Sequence, residues 1–318
     1  MFINYTPNFV DEITFGVEIE CYIPRKVSRA DVFTKAGIRN RGGSSYKYWT
    51  THSDCSLSTY GGSRDSPFYG TEFVSPVLSG KEGLAEVSRM LNAIKAVGGK
   101  VDTTCGLHVH TGYRPYFTEW KPLRRSVKNK LINNLIDWAT EFDQSFMLII
   151  ARNRWTENYC NRFEDYCERD APNLKRSYRK KFSDVENTVR GASHGANVNF
   201  TGFLYEDYKP TIEIRMLEGT LDADKVEAWI WLCQKFIHKA FTAENKWATR
   251  THSFNEFIRF LEANNDRCAV RDEDTKRYVN TLRRIARKNS TEEFPYAQAH
   301  CNFASYIRPK RTRKIKAA

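Results

Sequence analysis

The sequence lacks the patterns that would assign it to several common classes of protein. It has no run of roughly 18 apolar residues, so no membrane-spanning helix is expected, and residues 1–14 have no apolar core of the signal-peptide type. It has no GxxxxGK motif followed by Ser or Thr, which excludes a P-loop nucleotide site. Its eight cysteines include no CxxC pair, which favours free thiols in a reducing compartment over disulfides. We therefore expect a cytoplasmic protein with no membrane partner.

The composition is that of a folded protein with an excess of positive charge. At 318 residues, with 41% hydrophobic and 14% aromatic residues, the chain can bury a sizeable core as one large domain or two modest ones. Fifty Lys and Arg against 38 Asp and Glu give a net charge of +12. This charge favours anionic partners such as nucleotides, phosphorylated substrates or nucleic acid, without choosing among them.

Three distant segments place polar or charged side chains two residues apart in what reads as a β-strand. Successive strand side chains point to opposite faces, so residues two apart share a face while their apolar neighbours pack beneath. A sheet bearing Glu, His and Arg on one face can hold a hard cation and a phosphate together, as the chemistry of ATP requires. The three pairs are Glu18 and Glu20, His108 and His110, and Glu213 and Arg215.

Strands and helices of unlike length alternate irregularly along the chain. We expect a further strand around Glu72 and a helix capped by Ser79, and loops and hairpins from Ser28 to Tyr69. Such a pattern favours an α+β fold with a largely antiparallel sheet. We expect a catalytic domain over 1–247, a helical extension packed on it over 248–307, and a disordered basic tail over 308–318.

Four blocks, in order, resemble the motifs of the amidoligase family within the glutamine synthetase-like carboxylate–amine ligases. The resemblance extends from Phe15 to about Phe236. The blocks are Phe15–Glu20, Asp54–Leu57 with Tyr69–Pro76, Gly106–His110, and Thr211–Arg215 with Glu218–Leu221.

The resemblance implies a fold and a reaction. The implied fold is a curved antiparallel sheet whose concave face binds Mg-ATP, with helices on the other side. The implied reaction transfers the γ-phosphoryl group of ATP to a carboxylate, and an amine then attacks the acyl phosphate to form an amide, with release of ADP and phosphate. The expected partners are small-molecule or peptide carboxylates and amines; the sequence does not indicate an oligomeric state.

Side-chain chemistry and this resemblance together suggest roles at the site. Mg²⁺, or Mn²⁺ in its place, prefers carboxylate oxygens, so Glu18, Glu20 and Glu72 are expected ligands, with Glu213 at a second ion. The guanidinium of Arg215 suits the transferred phosphoryl group. His108 is expected near the ATP phosphates or the second ion, with His110 beside it or orienting it.

Other polar residues are expected to contact substrate or nucleotide. Asp54 and Ser56 resemble family positions that face the substrate, and Glu218 is a candidate metal ligand or amine-orienting group. A cluster of Arg152, Arg154 and Tyr159 would recognise a carboxylate or phosphate, or would simply be a solvated loop. Asn197 and Asn199 alternate toward the same face as Glu213 and would contact nucleotide.

Other readings remain open from the sequence. A nucleic-acid-binding protein or metal-dependent nuclease would use the same acidic and His face, and the basic tail over 308–318 would bind nucleic acid. A ligase acting on a substrate held by that tail, or an inactive scaffold, is a further alternative. A zinc site formed by Cys105, His108 and His110 would lack a clear fourth ligand. A Cys105–His108 hydrolase is disfavoured because residues three apart on a strand face opposite ways.

Overall fold

A computed structural model of the chain describes its sheet and the helices around it. The described residues are 13–39, 47–54, 56–57, 60, 65–112, 131, 134–135, 138–139, 142–151, 154, 197–199, 211–242, 253–262 and 273–291. They form six strands and six helices. In chain order these are β1 (Phe15–Pro24), α1 (Arg29–Ala36), β2 (Thr50–His52), β3 (Phe68–Val74), α2 (Gly80–Ala96), β4 (Gly106–Gly112), α3 (Asp143–Met147), β5 (Val198–Asn199), β6 (Thr211–Glu218), α4 (Ala223–Thr242), α5 (Phe254–Glu262) and α6 (Glu273–Thr291).

The six strands form one antiparallel sheet in the order β2-β3-β1-β4-β6-β5. Every pairing is antiparallel, and β1 lies between β3 and β4 near the centre of the sheet. The sheet is therefore open at both edges, and the predicted α+β fold with a largely antiparallel sheet is confirmed.

The helices cover one face of this sheet. Val17 and Ile19 of β1, Val109 of β4 and Ile214 of β6 are almost completely buried and belong to one hydrophobic core with side chains of α2 and α4. Each such side chain contributes about 1.5–3 kcal/mol through its removal from water. The alternate residues of the same strands point to the opposite face, away from the helices.

Helix α4 is buried on nearly all sides from Ala228 to Ala240. A helix buried to this extent needs neighbours around its whole circumference. It contacts β4, β6 and α2 on one side and α5 and α6 on the other. The two C-terminal helices therefore cover a surface of α4 that would otherwise be exposed, and the basic segment 308–318 lies outside the described residues.

Helix α1 corrects the prediction of loops and hairpins between Ser28 and Tyr69. Ser28 and Asp31 form a capping box, in which the Ser28 side chain accepts from the Asp31 N–H and the Asp31 carboxylate accepts from the Ser28 N–H. Gly37 ends the helix with φ 65°, a left-handed conformation that glycine adopts without strain. The short helix lacks a long apolar repeat, so only its caps could have predicted it.

The predicted start of α2 holds at Ser79, although its side chain makes no capping hydrogen bond. Asp222 caps α4 as a hydrogen-bond acceptor for the Lys225 N–H. Among the helices described, none is long and apolar enough to cross a lipid bilayer.

Candidate active site

The sheet face opposite the helices collects the charged side chains of four strands. Glu18 of β1 pairs with His108 of β4, and Glu20 of β1 pairs with Glu72 of β3. His110 pairs with Glu213 of β6. Because these are cross-strand partners in neighbouring strands, residues up to about 100 positions apart in sequence become side-chain neighbours.

Glu18 lies between the two histidines. Its two oxygens lie 3.0 Å from His108 Nδ1 and 2.9 Å from His110 Nε2. His108 in turn lies within 3.5 Å of Glu20 Oε1 and 3.4 Å of Glu213 Oε1. His108 therefore contacts three of the four carboxylates that the sequence predicted as metal ligands.

Arg215 is held against the cluster by Glu213. Its Nη1 donates to Glu213 Oε1 at 2.6 Å, and Asn199 of β5 donates from Nδ2 to Glu213 Oε2 at 2.8 Å. The backbone N–H of Arg215 donates to the Asn197 carbonyl. Both asparagines predicted near the nucleotide thus lie at the site, where Asn199 orients Glu213 and Asn197 fixes the strand that carries Arg215.

A β-bulge in β6 decides where Glu218 points. Leu107 pairs with Leu217 and Val109 with Ile214, so Arg215 and Met216 together oppose the single residue His108. Met216 and Leu217 are consequently both buried, and Glu218 returns to the face that carries Glu213. Strict alternation from Glu213 would have placed Glu218 on the core face.

Both oxygens of Glu218 are engaged by groups of the protein. Oε2 accepts from the Ala151 N–H at 2.8 Å, and Oε1 pairs with Lys225 near the start of α4. Asn289 of α6 donates to the carbonyls of Leu148 and Ile150, just before Ala151. These bonds fit a role for Glu218 in positioning the 148–154 segment.

That segment delivers a buried arginine to the site. Arg154 donates from Nη2 to the Arg215 carbonyl at 3.0 Å, and its guanidinium lies beside the backbone of Gly106. The predicted cluster with Arg152 and Tyr159 is described only at Arg154, because the other two lie outside the described residues.

Asp54 reaches the site because its loop docks on β1 and β3. Leu57 packs in a small apolar cluster with Tyr22 and Cys105, and it lies against Gly70, where an added Cβ would fall 2.6 Å from the Leu57 Cβ. Asp54 Oδ1 accepts from the Ser56 N–H at 2.7 Å. Ser56 thus acts through its backbone on Asp54.

Three groups of side chains bring potential metal ligands within 4.8 Å of one another. One contains only oxygen donors, the chemistry that Mg²⁺ prefers. The other two combine an imidazole with two carboxylates, and carboxylate ligands also suit Mn²⁺. The groups are Glu20, Asp54 and Glu72; Glu18, Glu72 and His108; and Glu18, His110 and Glu213.

The pKa values record an excess of negative charge at this face. Burial, together with the charges of Glu18, Glu20, Asp54 and Glu213, raises the pKa of Glu72 to about 8. Burial also opposes ionisation of Glu18 and Glu213, but their His and Arg neighbours outweigh it and hold the pKa of each carboxyl below its ordinary value. A divalent cation would neutralise this excess, so the residues present fit a metal.

Cys105 is separate from these groups. It is buried beside Tyr22 and Leu57, and burial raises the pKa of its thiol to about 12. A thiol with this pKa is protonated at neutral pH and is a poor nucleophile or metal ligand. The zinc and hydrolase readings therefore gain no support from the described residues.

The raised pKa of Glu72 predicts that the stability of the metal-free protein falls as pH rises. The Glu72 proton is held with a pKa of about 8 in the folded state against an ordinary value of 4.5. The folded state therefore binds more protons than the unfolded state between these values, and the free energy of unfolding decreases as pH rises through them. We expect the midpoint temperature (Tm) in the presence of a chelator to fall between about pH 6 and about pH 8.

The variant Glu72→Gln supplies the comparison, because it removes this titration while keeping the size of the side chain. We expect it to flatten the pH dependence, and we expect added Mg²⁺ at about pH 8 to raise the Tm of the wild type. A wild-type Tm that stayed level or rose with pH under chelation would contradict the assignment.

The close packing around Gly106 leads to a second prediction, about the placement of the neighbouring side chains. Its N–H donates to Glu20 Oε2, and a Cβ added there would lie 3.0 Å from both Arg154 Nη2 and His108 Nε2. We expect Gly106→Ala to displace these side chains and to lower the activity of this site by about 10- to 100-fold with little loss of Tm.

The control is Gly16→Ala on the neighbouring strand. An added Cβ there lies 3.6 Å from Ser75 Oγ and 3.8 Å from His110 Cβ, which is ordinary contact. We expect this variant to keep most of its activity. Equal losses for the two variants would show that glycine itself, and not the space beside His108, is what matters.

Comparison with known proteins identifies the family. A family model described as "Putative amidoligase enzyme" matches residues 11–237. No curated protein matches the chain significantly. The matched range includes every strand that carries the site, and the family description supports a ligase-type enzyme function. Because the match covers more than half of the chain, this protein belongs to the amidoligase family.

Proposed function

We propose that the chain is an ATP-dependent carboxylate–amine ligase. In the first step a substrate carboxylate oxygen attacks the γ-phosphorus of ATP, the bond to the β–γ bridging oxygen breaks, and ADP leaves. In the second step an amine attacks the carbonyl carbon of the acyl phosphate, inorganic phosphate leaves, and the amine nitrogen loses a proton. The product is an amide.

One observation carries this proposal: the acidic and His ligands converge with Arg215 on a single sheet face of an amidoligase-family chain. Phosphoryl transfer needs charge neutralisation and alignment more than it needs a protein nucleophile. A face that combines at least five carboxylates with an oriented guanidinium provides for both.

Magnesium would be held by the carboxylates of this face. Glu20, Asp54 and Glu72 form a group whose potential ligand atoms are all oxygens. Glu18 and Glu213 form a second group together with His110. Bound Mg²⁺ supplies neutralisation of the phosphate charges. Arg215, held by Glu213, would bind the transferred phosphoryl group, since a planar guanidinium offers paired N–H donors to phosphate oxygens.

His108 and Arg154 both lie beside Gly106, and Arg154 donates to the Arg215 carbonyl. His108 contacts Glu18, Glu20 and Glu213 and would keep these carboxylates in place. Arg154 would bind the carboxylate substrate or its acyl phosphate. The Leu57 loop, docked over the sheet, would exclude water that would otherwise hydrolyse the acyl phosphate.

We propose small-molecule or peptide carboxylates and amines as the substrates, in the cytoplasm, with residues 1–247 as the catalytic unit. The family match over residues 11–237 supports that boundary. The described cysteines Cys21, Cys105 and Cys233 are all free, which agrees with a reducing compartment.

The test is ADP release by the purified full chain with ATP and Mg²⁺, screened against pools of amino acids, polyamines and peptides. Release that requires both a carboxylate and an amine supports ligation. Added hydroxylamine should trap the acyl phosphate as a hydroxamate. Metal-dependent cleavage of DNA without ATP turnover would overturn the ligase and support the nuclease.

A further inference from the structure

The outer face of α6 is a cationic surface that the proposed ligase reaction does not use. Asn280, Arg283, Arg284 and Arg287 follow the spacing i, i+3, i+4, i+7, which places them on one side of the helix. Together they line a cavity of about 380 Å³. The apolar residues of α6, among them Leu282, point the other way into the core.

The three arginines of this face have no acidic partner within the described part of the chain. The first turns of α6 differ, because Arg277 pairs with Glu227 and Lys276 pairs with Glu273. Positive charge is therefore compensated at the start of the helix and left uncompensated along Arg283, Arg284 and Arg287.

The surrounding sequence adds to this charge. From the start of α6 to the C-terminus, residues 273–318 contain twelve Lys and Arg against four Asp and Glu, a net +8 within a chain of net +12. Two thirds of the excess positive charge of the protein thus lies from the start of α6 to the C-terminus. Such a concentration attracts a polyanion and steers it toward this end of the molecule.

The chemistry of the face favours the phosphodiester backbone over a lipid surface. Interfacial helices insert an apolar face among lipids, whereas the apolar face of α6 is already buried against α4. Guanidinium groups match phosphate oxygens in a paired geometry. The face spans about 10 Å from Asn280 to Arg287, roughly three phosphate steps along one strand.

We propose that this α6 face binds nucleic acid through phosphate contacts, without reading the bases. The proposal goes beyond the ligase function and does not depend on it. Sequence-independent binding of this kind has a dissociation constant of about 10⁻⁴ to 10⁻⁶ M at physiological salt and weakens steeply as salt rises.

The experiment measures binding of the full chain to two fluorescein-labelled probes, a duplex DNA and a single-stranded RNA, by anisotropy across a salt series. The variant carries Arg283→Gln, Arg284→Gln and Arg287→Gln. We expect it to bind at least about 10-fold more weakly at low salt, and the slope of log K against log salt to decrease by about 2–3 for the duplex. The two probes show whether the face prefers double or single strands.

A matched control removes three exposed cations elsewhere, with Lys26→Gln, Lys35→Gln and Lys95→Gln. Its net charge equals that of the arginine variant, so we expect less than about a 2-fold change in binding. Equal weakening in both variants would overturn the proposal, because net charge alone would then explain the binding.

A third variant, Lys310→Gln, Arg311→Gln and Arg313→Gln, tests the basic tail in the full chain. Binding lost here and retained in the arginine variant would overturn the assignment to α6. Wild-type protein that binds neither probe, or that binds anionic vesicles or polyglutamate more tightly than both, would also overturn it. Circular dichroism checks folding, and the double variant Arg284→Gln, Arg287→Gln replaces the triple variant if the latter does not fold.

Discussion

Replacing Arg215 with Lys is expected to lower the rate of the proposed ATP-dependent ligation by about 10³-fold, a loss of about 4 kcal/mol of transition-state stabilisation. Glu213 holds the guanidinium through a 2.6 Å hydrogen bond, and Asn199 fixes Glu213 from its other oxygen. Lysine keeps the positive charge but replaces a planar fork of donors with a single ammonium group. Charge in the ground state is thus retained, while paired contact with the phosphoryl oxygens is lost.

The measurement is single-turnover ADP formation with saturating ATP. We expect kcat to fall much more than the affinity for ATP, since the contact strengthens as charge develops on the transferred group. The control is Arg277→Lys, the same change at an exposed ion pair with Glu227. An Arg215→Lys enzyme that kept a tenth or more of the wild-type rate would contradict the assigned role.

Replacing Glu18 with Gln is expected to abolish measurable ligation and to weaken binding of the metal by at least about 100-fold. Glu18 belongs to two of the three groups of potential ligands and contacts both histidines. The amide keeps the shape of the side chain but removes its negative charge and one acceptor oxygen. Divalent cations require that charge in their first coordination shell.

Two measurements distinguish a loss of metal binding from a loss of catalytic turnover. Titration with Mn²⁺, followed by electron paramagnetic resonance, reports the dissociation constant, and ADP release reports turnover. Glu86→Gln is the matched control, because Glu86 is a half-buried carboxylate that accepts from Trp49 away from the site. Metal affinity unchanged in Glu18→Gln would show that the ion is held elsewhere.

Glu18→Gln also changes a neighbour in a predictable direction. The charge of Glu18 is one of the causes that raise the pKa of Glu72 to about 8. Removing that charge should lower the Glu72 pKa, and the fall in stability with pH expected of metal-free protein should become smaller. This link ties the catalytic prediction to a measurement that does not require substrate.

The strand pattern was informative for β1 and β4, whose side chains alternate strictly between the two faces of the sheet. Glu18 and Glu20 follow Val17 and Ile19, and the apolar pair is fully buried. A one-residue shift in strand register would expose all of the apolar side chains of the strand. Burial of the apolar face therefore determines which side chains point to the opposite face. Sequence reasoning therefore selected Glu18, Glu20 and the two histidines correctly as sharing a face.

The sequence was less informative where local geometry departs from the repeat. No residue type at Arg215 and Met216 indicates the bulge in the sequence. The bulge alone turns Glu218 toward the site face. Helix α1 was missed because its signal lies in the caps Ser28, Asp31 and Gly37 and not in apolar periodicity. The importance of Gly106 follows only from the side chains packed around it.

The sequence by itself determined the two faces of β1 and β4, the acidic, His and Arg character of one face, and the motif order that resembles the amidoligases. The two faces follow from local alternation, which needs no knowledge of the partner strand. The tertiary structure alone decided which strands are neighbours, and hence that Glu20 meets Glu72 and that His110 meets Glu213. Cross-strand register depends on pairings between distant segments, and a single strand carries no record of its partner.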